Sequence, residues 1–174
     1  MKKGYLFLIG GAEDRKGDKH VLKHLVEQTQ PNNIIIIPTA SDYTKDVYRS
    51  YADAFGDLGI QEIEYLDIRY RDEVDREKNL AAIEQTDLVY FGGGDQVKLV
   101  ATLNRTRLFD RMRERLESGG LHIAGTIVLA NIGAVVVSPF ENHDLAQEVA
   151  KRMRVTGGID PGESGSGLAD LRGC

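Results

Sequence analysis

The chain has 174 residues and a formal net charge of −5 at pH 7; 41% of its residues are hydrophobic and 28% are charged. These values are typical of one globular domain with a sizeable core, and the acidic balance argues against nucleic acid as the main partner. The apolar run Tyr5–Ile9 is too short for a signal sequence or a membrane span. A single cysteine, Cys174, excludes an internal disulfide. We therefore expect a cytoplasmic protein that contacts no membrane.

Short apolar runs alternate with amphipathic stretches along the first three quarters of the chain. The runs predict strands at Tyr5–Ile9, Ile34–Ile37, Glu62–Tyr65, Leu88–Phe91 and His122–Ala124. Helical spacing of apolar residues predicts helices over 21–26, 47–58, 80–83, 97–103 and 108–116, with Gly59 just past the end of the second. This alternation predicts an α/β fold with a doubly wound, mostly parallel sheet and helices on both faces. The unbroken run Ile34–Ile37 predicts a central strand that is covered on both sides.

The alternation fades after Ser138. Asp144–Met153 has the spacing of one further helix, and the segment from Thr156 onward is rich in glycine. Fixing so many glycines is entropically costly, which predicts a loop. We expect one α/β domain over residues 1–155 and a Gly-rich C-terminal tail over residues 156–174.

The strongest candidate site is the segment Gly92-Gly93-Gly94-Asp95-Gln96, directly after the fourth predicted strand. Ligands of open parallel sheets bind beyond the carboxyl ends of the strands. The backbone N–H groups of Gly93 and Gly94 are suited to binding an anion or forming an oxyanion hole. The alternative is a tight turn in which Asp95 is only the N-cap of the next helix.

Four other side chains at strand ends are candidates for substrate contacts. Glu13 could bind a cationic group or complement a helix dipole, and Arg69 and Arg71 could clamp a carboxylate or pair with nearby acids. The hydroxyl of Ser41 could be a nucleophile, or it could only cap a turn. The histidines are scattered and no phosphate-binding glycine fingerprint occurs, so we expect no metal and no cofactor.

Taken together, these strand ends resemble the cyanophycinase group of serine peptidases, which includes the aspartyl dipeptidases. The resemblance covers residues 5–126, with matching motifs in this order: GGAED at 10–14, IPTAS at 37–41, YLDIR at 65–69, FGGGDQ at 91–96 and IAGT at 123–126. It implies a flavodoxin-like domain of the class I glutamine amidotransferase type. It also implies hydrolysis of β-aspartyl–arginine or aspartyl peptides by a serine on a G-T-S-A-G-A elbow, opposite the Gly-Gly-Asp-Gln segment, which supplies oxyanion and substrate contacts.

The elbow of this sequence departs from the family pattern. Gly125-Thr126 and Gly133-Ala134 match its two ends, but six residues stand where the family has Ser-Ala: Ile127, Val128, Leu129, Ala130, Asn131 and Ile132. An elbow works by holding one hydroxyl at a sharp turn beside backbone donors, and aliphatic side chains cannot replace it. The family's histidine follows a stretch that Gly167–Leu171 only faintly matches, and Cys174 comes before its expected position. Losing either group abolishes triad catalysis.

Two functions of different class follow from these residues. The first is a cyanophycinase-like peptidase acting on a small peptide substrate held by Asp95, Gln96, Arg69 and Arg71. The second, favoured by the missing serine and histidine, is a non-catalytic binding or scaffold protein, truncated or rearranged from the peptidase fold. The apolar segment 127–137 is predicted to form a β-hairpin, and burying it predicts a homodimer.

Overall fold

The computed structural model describes residues 4–9 and 13–126. These residues all fall within the first of the two units into which the chain divides, Met1–Glu141. The predicted hairpin, the helix Asp144–Met153, the glycine-rich tail and the domain boundary at residue 155 lie outside the described residues, as does the apolar surface proposed for a homodimer. These stay predictions.

Five strands and six helices alternate along the described chain. The strands are β1 Leu6–Ile9, β2 Asn33–Ile37, β3 Glu62–Tyr65, β4 Leu88–Phe91 and β5 His122–Thr126. The helices are α1 His20–Thr29, α2 Thr44–Asp57, α3 Arg71–Val74, α4 Glu77–Gln85, α5 Gln96–Leu103 and α6 Arg107–Ser118. All five predicted strands and all five predicted helices are confirmed. The short helix α3 was not predicted.

The strands form one parallel sheet in the order β1-β5-β4-β2-β3. From β2 the chain proceeds to β3 on one side, and from β4 it proceeds to β5 on the other. Right-handed crossovers that run in opposite directions place their helices on opposite faces of a sheet. The doubly wound α/β architecture is therefore confirmed, and its topological switch point lies between β2 and β4, where such sheets bind their ligands.

The core consists of two apolar layers, one on each face of the sheet. Ile34 and Ile36 of β2 pack with residues of α1 and α2, whereas Ile35 and Ile37 pack with residues of α4, α5 and α6. All four isoleucines are buried, at 2% exposure or less. Burial stabilises the fold by roughly 1.5–3 kcal/mol for each such side chain. The prediction that this strand is covered on both sides is confirmed.

Strand β5 extends two residues further than predicted, through Gly125 and Thr126. These residues pair with Leu8 and Ile9 of β1, and Gly125 also pairs with Phe91 of β4. A Cβ atom on Gly125 would lie 3.0 Å from the Cβ of Phe91 and 3.2 Å from its carbonyl oxygen. Gly125 is therefore closely packed against Phe91 inside the strand, which continues through Thr126.

Among the described helices, none has both the length and the apolar character needed to cross a lipid bilayer.

Helix α2 ends in a Schellman motif. The N–H of Gly59 donates to the carbonyl oxygen of Gly56 at 2.9 Å, and that of Ile60 donates to Phe55 at 3.1 Å. Gly59 has a φ of +94°, in the left-handed region, which confirms its predicted place after the helix. Gly56 lies inside the helix, and a Cβ there would meet nothing within 4 Å.

Two substitutions three residues apart are expected to change stability in opposite directions. Gly56→Ala raises the free energy of unfolding by about 0.5–1 kcal/mol because alanine has the higher helix propensity. Gly59→Ala lowers it by about 1–2 kcal/mol because a Cβ disfavours positive φ. Urea unfolding followed by circular dichroism measures both. If both variants changed the free energy of unfolding in the same direction, this account of the helix end would be wrong.

Candidate functional site

The segments that follow β2 and β4 touch at the switch point. The backbone N–H of Asp95 donates to the carbonyl oxygen of Ala40 at 2.8 Å. Gly94 has a φ of +151°, and a Cβ on this residue would lie 2.3 Å from the same oxygen of Ala40. Only glycine fits here, so the predicted glycine turn is a close approach of two backbones at the ligand-binding edge of the sheet.

Asp95 is the N-cap of α5. Its carboxylate accepts from the backbone N–H groups of Val97 at 2.8 Å and Lys98 at 3.2 Å. Asp95 therefore caps the helix, and its predicted substrate contact stays a prediction. Because two helix amides already occupy this carboxylate, the adjacent turn at Gly93 and Gly94 is the better place for a ligand anion, at the positive end of the helix dipole.

Gln96, the first residue of α5, has a buried amide without a partner. The residue is only 6% exposed, and neither its Oε1 nor its Nε2 has a hydrogen-bond partner among the described residues. An unpaired buried polar group costs about 1–3 kcal/mol. Native proteins keep few such groups, and each calls for an explanation such as a ligand or an ordered water.

A chain of hydrogen bonds joins the ends of β4 and β5 to Tyr51 in the middle of α2. The Tyr51 hydroxyl donates to Glu13 Oε1 in a short hydrogen bond. Thr126 Oγ1 lies 2.9 Å from the hydroxyl oxygen of Tyr51 and 2.9 Å from that of Tyr90. Since Tyr51 has only one proton, which goes to Glu13, its oxygen accepts from Thr126, and Thr126 in turn accepts from Tyr90. The hydroxyl of Thr126 is therefore fully engaged.

Burial and the nearby carboxylate keep both tyrosines protonated. Desolvation, followed by the hydrogen bond to Glu13, raises the pKa of Tyr51 to about 12, and burial raises the pKa of Tyr90 well above its usual value. The guanidinium of Arg15 lies over the Tyr51 ring, 5.1 Å from its centroid. The second oxygen of Glu13, Oε2, is buried without a partner among the described residues. Glu13 Oε2 can therefore accept a further hydrogen bond at this edge of the sheet.

The two candidate arginines have different surroundings. Arg71 donates to four backbone carbonyls at the end of α5, including those of Ala101 at 3.1 Å and Asn104 at 2.8 Å. Arg69 pairs with Asp67 at 3.0 Å and donates to Thr44 Oγ1 at 3.2 Å. The structure thus gives both arginines protein partners, and their predicted role in holding substrate stays a prediction.

Ser41 and Asp14 each accept hydrogen bonds from the backbone of their own loop. The hydroxyl of Ser41 accepts from the backbone N–H of Tyr43 at 3.0 Å, as expected of a turn residue. Asp14 accepts from the backbone of Lys16, Gly17 and Lys19, and these bonds lower its pKa to about 2. Within the described residues, no three His, Cys, Asp or Glu side chains form a group that could hold a metal ion.

Comparison with known proteins places this arrangement in a family. The model of Peptidase family S51 matches residues 6–151, a range that contains every strand and helix described above. The chain belongs to this peptidase family.

Similar proteins agree with the assignment. The chain is 32% identical over 123 residues to a cyanophycinase of Trichormus variabilis, covering 70% of this chain and 41% of the relative. It is 31% identical over 126 residues to a cyanophycinase of Synechococcus elongatus, covering 71% and 39%. The chain therefore spans about two-fifths of the length of these curated relatives.

Solved structures show the same fold. A peptidase from an acI-B1 actinobacterium matches with a TM-score of 0.65 and 25% identity, over 76% of this chain and 57% of that one. A putative peptidase E protein from Listeria monocytogenes matches with a TM-score of 0.55 and 20% identity, over 82% and 69%. The second likeness concerns the fold alone. The resemblance inferred from the strand-end motifs is confirmed at the level of the family.

Sequence reasoning missed the hydrogen-bonded chain. Tyr51 was assigned to an apolar stripe and Tyr90 to a buried strand, and both are indeed buried. The available signal was their chemistry, because a buried tyrosine hydroxyl requires a partner. Two buried tyrosines near an acidic strand-end motif therefore indicate a polar cluster, although its members cannot be paired without the fold.

Tyr51→Phe is expected to lower stability near neutral pH and to flatten its alkaline decline. Loss of the hydroxyl removes the donor to Glu13 Oε1 and the acceptor of the Thr126 proton, at a cost of about 1–3 kcal/mol. From pH 10 to about 12 the unfolded wild type loses the Tyr51 proton while the folded form keeps it, so the free energy of unfolding falls as pH rises. Urea titrations at pH 8, 10 and 11 measure both effects.

The matched control is Tyr43→Phe, since Tyr43 is 75% exposed. It should leave both the stability at pH 8 and the alkaline slope unchanged. A Tyr51→Phe profile parallel to that of the wild type would rule out the hydrogen-bonded chain.

Proposed function

We propose that this chain binds aspartyl or β-aspartyl–arginine peptides at the edge formed by the Gly93-Gly94 turn and α5, and that it does not hydrolyse them by the serine mechanism of its family. The observation that supports the binding half is the amide of Gln96, which is buried beside the glycine turn and has no partner among the described residues. An amide group can both donate to and accept from a peptide bond. A bound peptide would therefore satisfy both polar atoms of this amide.

The charges at this edge fit a ligand with two opposite groups. The positive end of α5 at Gly94 favours a carboxylate. The spare oxygen of Glu13 favours a cationic group, as the arginine end of a β-aspartyl–arginine peptide has. Both features lie beyond the carboxyl ends of parallel strands, where ligands of such sheets bind.

The sequence around the elbow supports the proposed lack of hydrolysis. The sequence continues from Gly125-Thr126 to Ile127, which carries no nucleophilic atom. Thr126 itself is a hydroxyl between two tyrosines, and their raised pKa values keep both of them protonated near neutral pH, so neither can take its proton. General-base activation of a hydroxyl needs an acceptor that titrates near the working pH.

The test is calorimetric titration with a β-aspartyl–arginine dipeptide, together with chromatography of the mixture after long incubation. The expected result is saturable binding, with no free aspartate or arginine and no labelling by a serine-directed phosphonate. Hydrolysis or labelling would contradict the non-catalytic proposal, while intact dipeptide without any binding would favour a scaffold without a peptide ligand.

Gln96→Leu is expected to separate binding from stability. Removing an unpaired buried amide leaves the free energy of unfolding unchanged or raises it by about 1 kcal/mol, yet dipeptide affinity falls about tenfold because a ligand hydrogen bond is lost. Gln28→Leu, an exposed position on α1, is the control that should change neither. A Gln96→Leu variant that binds like the wild type would remove the argument for a ligand at this amide.

A further inference from the structure

Arg15, in the loop before α1, is an exposed cation whose guanidinium contacts an aromatic ring. The guanidinium lies over Tyr51, 5.1 Å from the ring centroid. No hydrogen bond or ion pair with another described residue engages it. A guanidinium that stacks on a ring keeps its N–H donors in its own plane, and two of these donors match the two oxygens of a carboxylate. Arg15 can therefore bind an anionic group while it stays on the ring.

The loop that carries Arg15 is held in place on both sides of this residue. The carboxylate of Asp14 accepts from three backbone N–H groups within residues 16–19, at 2.7 to 3.2 Å. The Nζ of Lys19 lies 3.2 Å from the carboxylate of Asp57, the last residue of α2. A binding group on a loop that is already ordered loses less conformational freedom when a ligand binds.

Tyr51 connects Arg15 to the glycine turn after β4. The hydroxyl oxygen of Tyr51 is 2.9 Å from Thr126 Oγ1. Gly93 lies against the other side of this threonine, since a Cβ on Gly93 would be 3.1 Å from Thr126 Cγ2. Arg15, Tyr51, Thr126 and Gly93 therefore form one continuous row of contacts, which leads from the first loop to the proposed site.

The acidic side chains of residues 13–19 all have partners other than Arg15. These are backbone N–H groups for Asp14, His20 at 3.5 Å for Asp18, and the Tyr51 hydroxyl for Glu13. The guanidinium of Arg15 is thus not neutralised by an ion pair within its own loop. Its charge is available to an anionic group of a ligand.

The proposed β-aspartyl ligands have two such groups. A β-aspartyl dipeptide has a free carboxylate on each of its two residues, because its peptide bond uses the aspartyl side chain. The positive end of α5 attracts one carboxylate at the Gly93-Gly94 turn. The row of contacts leads from that turn to Arg15, which can bind the other carboxylate in bidentate fashion.

We infer that Arg15 binds the free carboxylate of the residue that is linked to the aspartyl group, while the Gly93-Gly94 turn holds the carboxylate of the aspartyl residue itself. The inference deepens the proposed function and rests on it. It assigns to Arg15 a preference for ligands with a free terminal carboxylate, which the glycine turn and Gln96 do not provide.

The experiment compares the β-aspartyl–arginine dipeptide with its C-terminal amide, which lacks only that carboxylate. Calorimetry with the full chain is expected to show about tenfold tighter binding of the acid, since a hydrogen bond between charged groups is lost in the amide. In Arg15→Met the acid should lose this advantage and bind no more tightly than the amide. Arg15→Lys keeps the charge without the planar pair of donors and should retain only part of the preference.

Two controls make the result specific. Lys16→Met removes the same charge from the next residue, which is also exposed, and should keep the tenfold preference for the acid. β-Aspartyl–leucine and its amide should show the same preference as the arginine pair, because the carboxylate and not the ligand's guanidinium is recognised.

The outcomes distinguish this inference from the proposed function. If the wild type binds acid and amide with equal affinity, Arg15 has no such role while the proposed site stands. A preference for the acid that persists in Arg15→Met would also overturn the inference, because Arg15 would then only cover the Tyr51 ring. If Arg15→Met does not fold, as judged by urea unfolding, the wild-type comparison and Arg15→Lys still decide. If neither acid nor amide binds, the proposed function and this inference fail together.

Discussion

The register of β4 between β2 and β5 is the constraint on which the site depends. Phe91, the last residue of β4, pairs with Ile37 on one side and Gly125 on the other. Because β2 and β4 are parallel and end at the paired residues Ile37 and Phe91, the segments that follow these two strands start side by side. A shift by one residue would exchange the two faces of β4 and move Tyr90 away from Thr126. The missing Cβ of Gly125 allows this register by leaving room for Phe91.

Some buried polar groups at this edge of the sheet have hydrogen-bond partners among the described residues, and others have none. Tyr51, Tyr90 and Thr126 satisfy one another, and the chain ends on one oxygen of Glu13. The other oxygen of Glu13 and the amide of Gln96 are left without partners among the described residues. A fully paired network makes a core rigid, whereas unpaired buried groups cost stability and accumulate where a ligand completes them. The tyrosine–threonine network thus holds this edge rigid, while Glu13 Oε2 and the Gln96 amide can still bind a ligand.

Much of the fold could be predicted because its signals are local. Apolar runs and helical spacing located every strand and the five longer helices. Helix α3 was missed because four residues, Arg71–Val74, are too few to show periodicity. Gly125 was taken as part of a turn, since no sequence signal separates a glycine needed for a turn from one needed for close packing between strands.

The family could be predicted from the sequence, whereas the hydrogen-bond partners at the sheet edge could not. The strand-end motifs correctly indicated the family, and parallel topology fixes where such segments lie. Which donor meets which acceptor depends on residues distant in sequence, as with Tyr51 and Thr126 or Arg71 and Asn104. Side-chain types alone left Asp95 as a cap or a ligand contact, and the structure shows the cap.

The position of Arg71 affects the opposite end of α5. Its guanidinium lies against the last carbonyls of an eight-residue helix, which is about 12 Å long. A cation there neutralises part of the negative charge at the C-terminal end of the helix. That negative end then reduces the positive potential at Gly94 by less. Through these backbone contacts Arg71 can strengthen the attraction of the Gly94 turn for an anion, and the contribution diminishes as added salt shortens the Debye length.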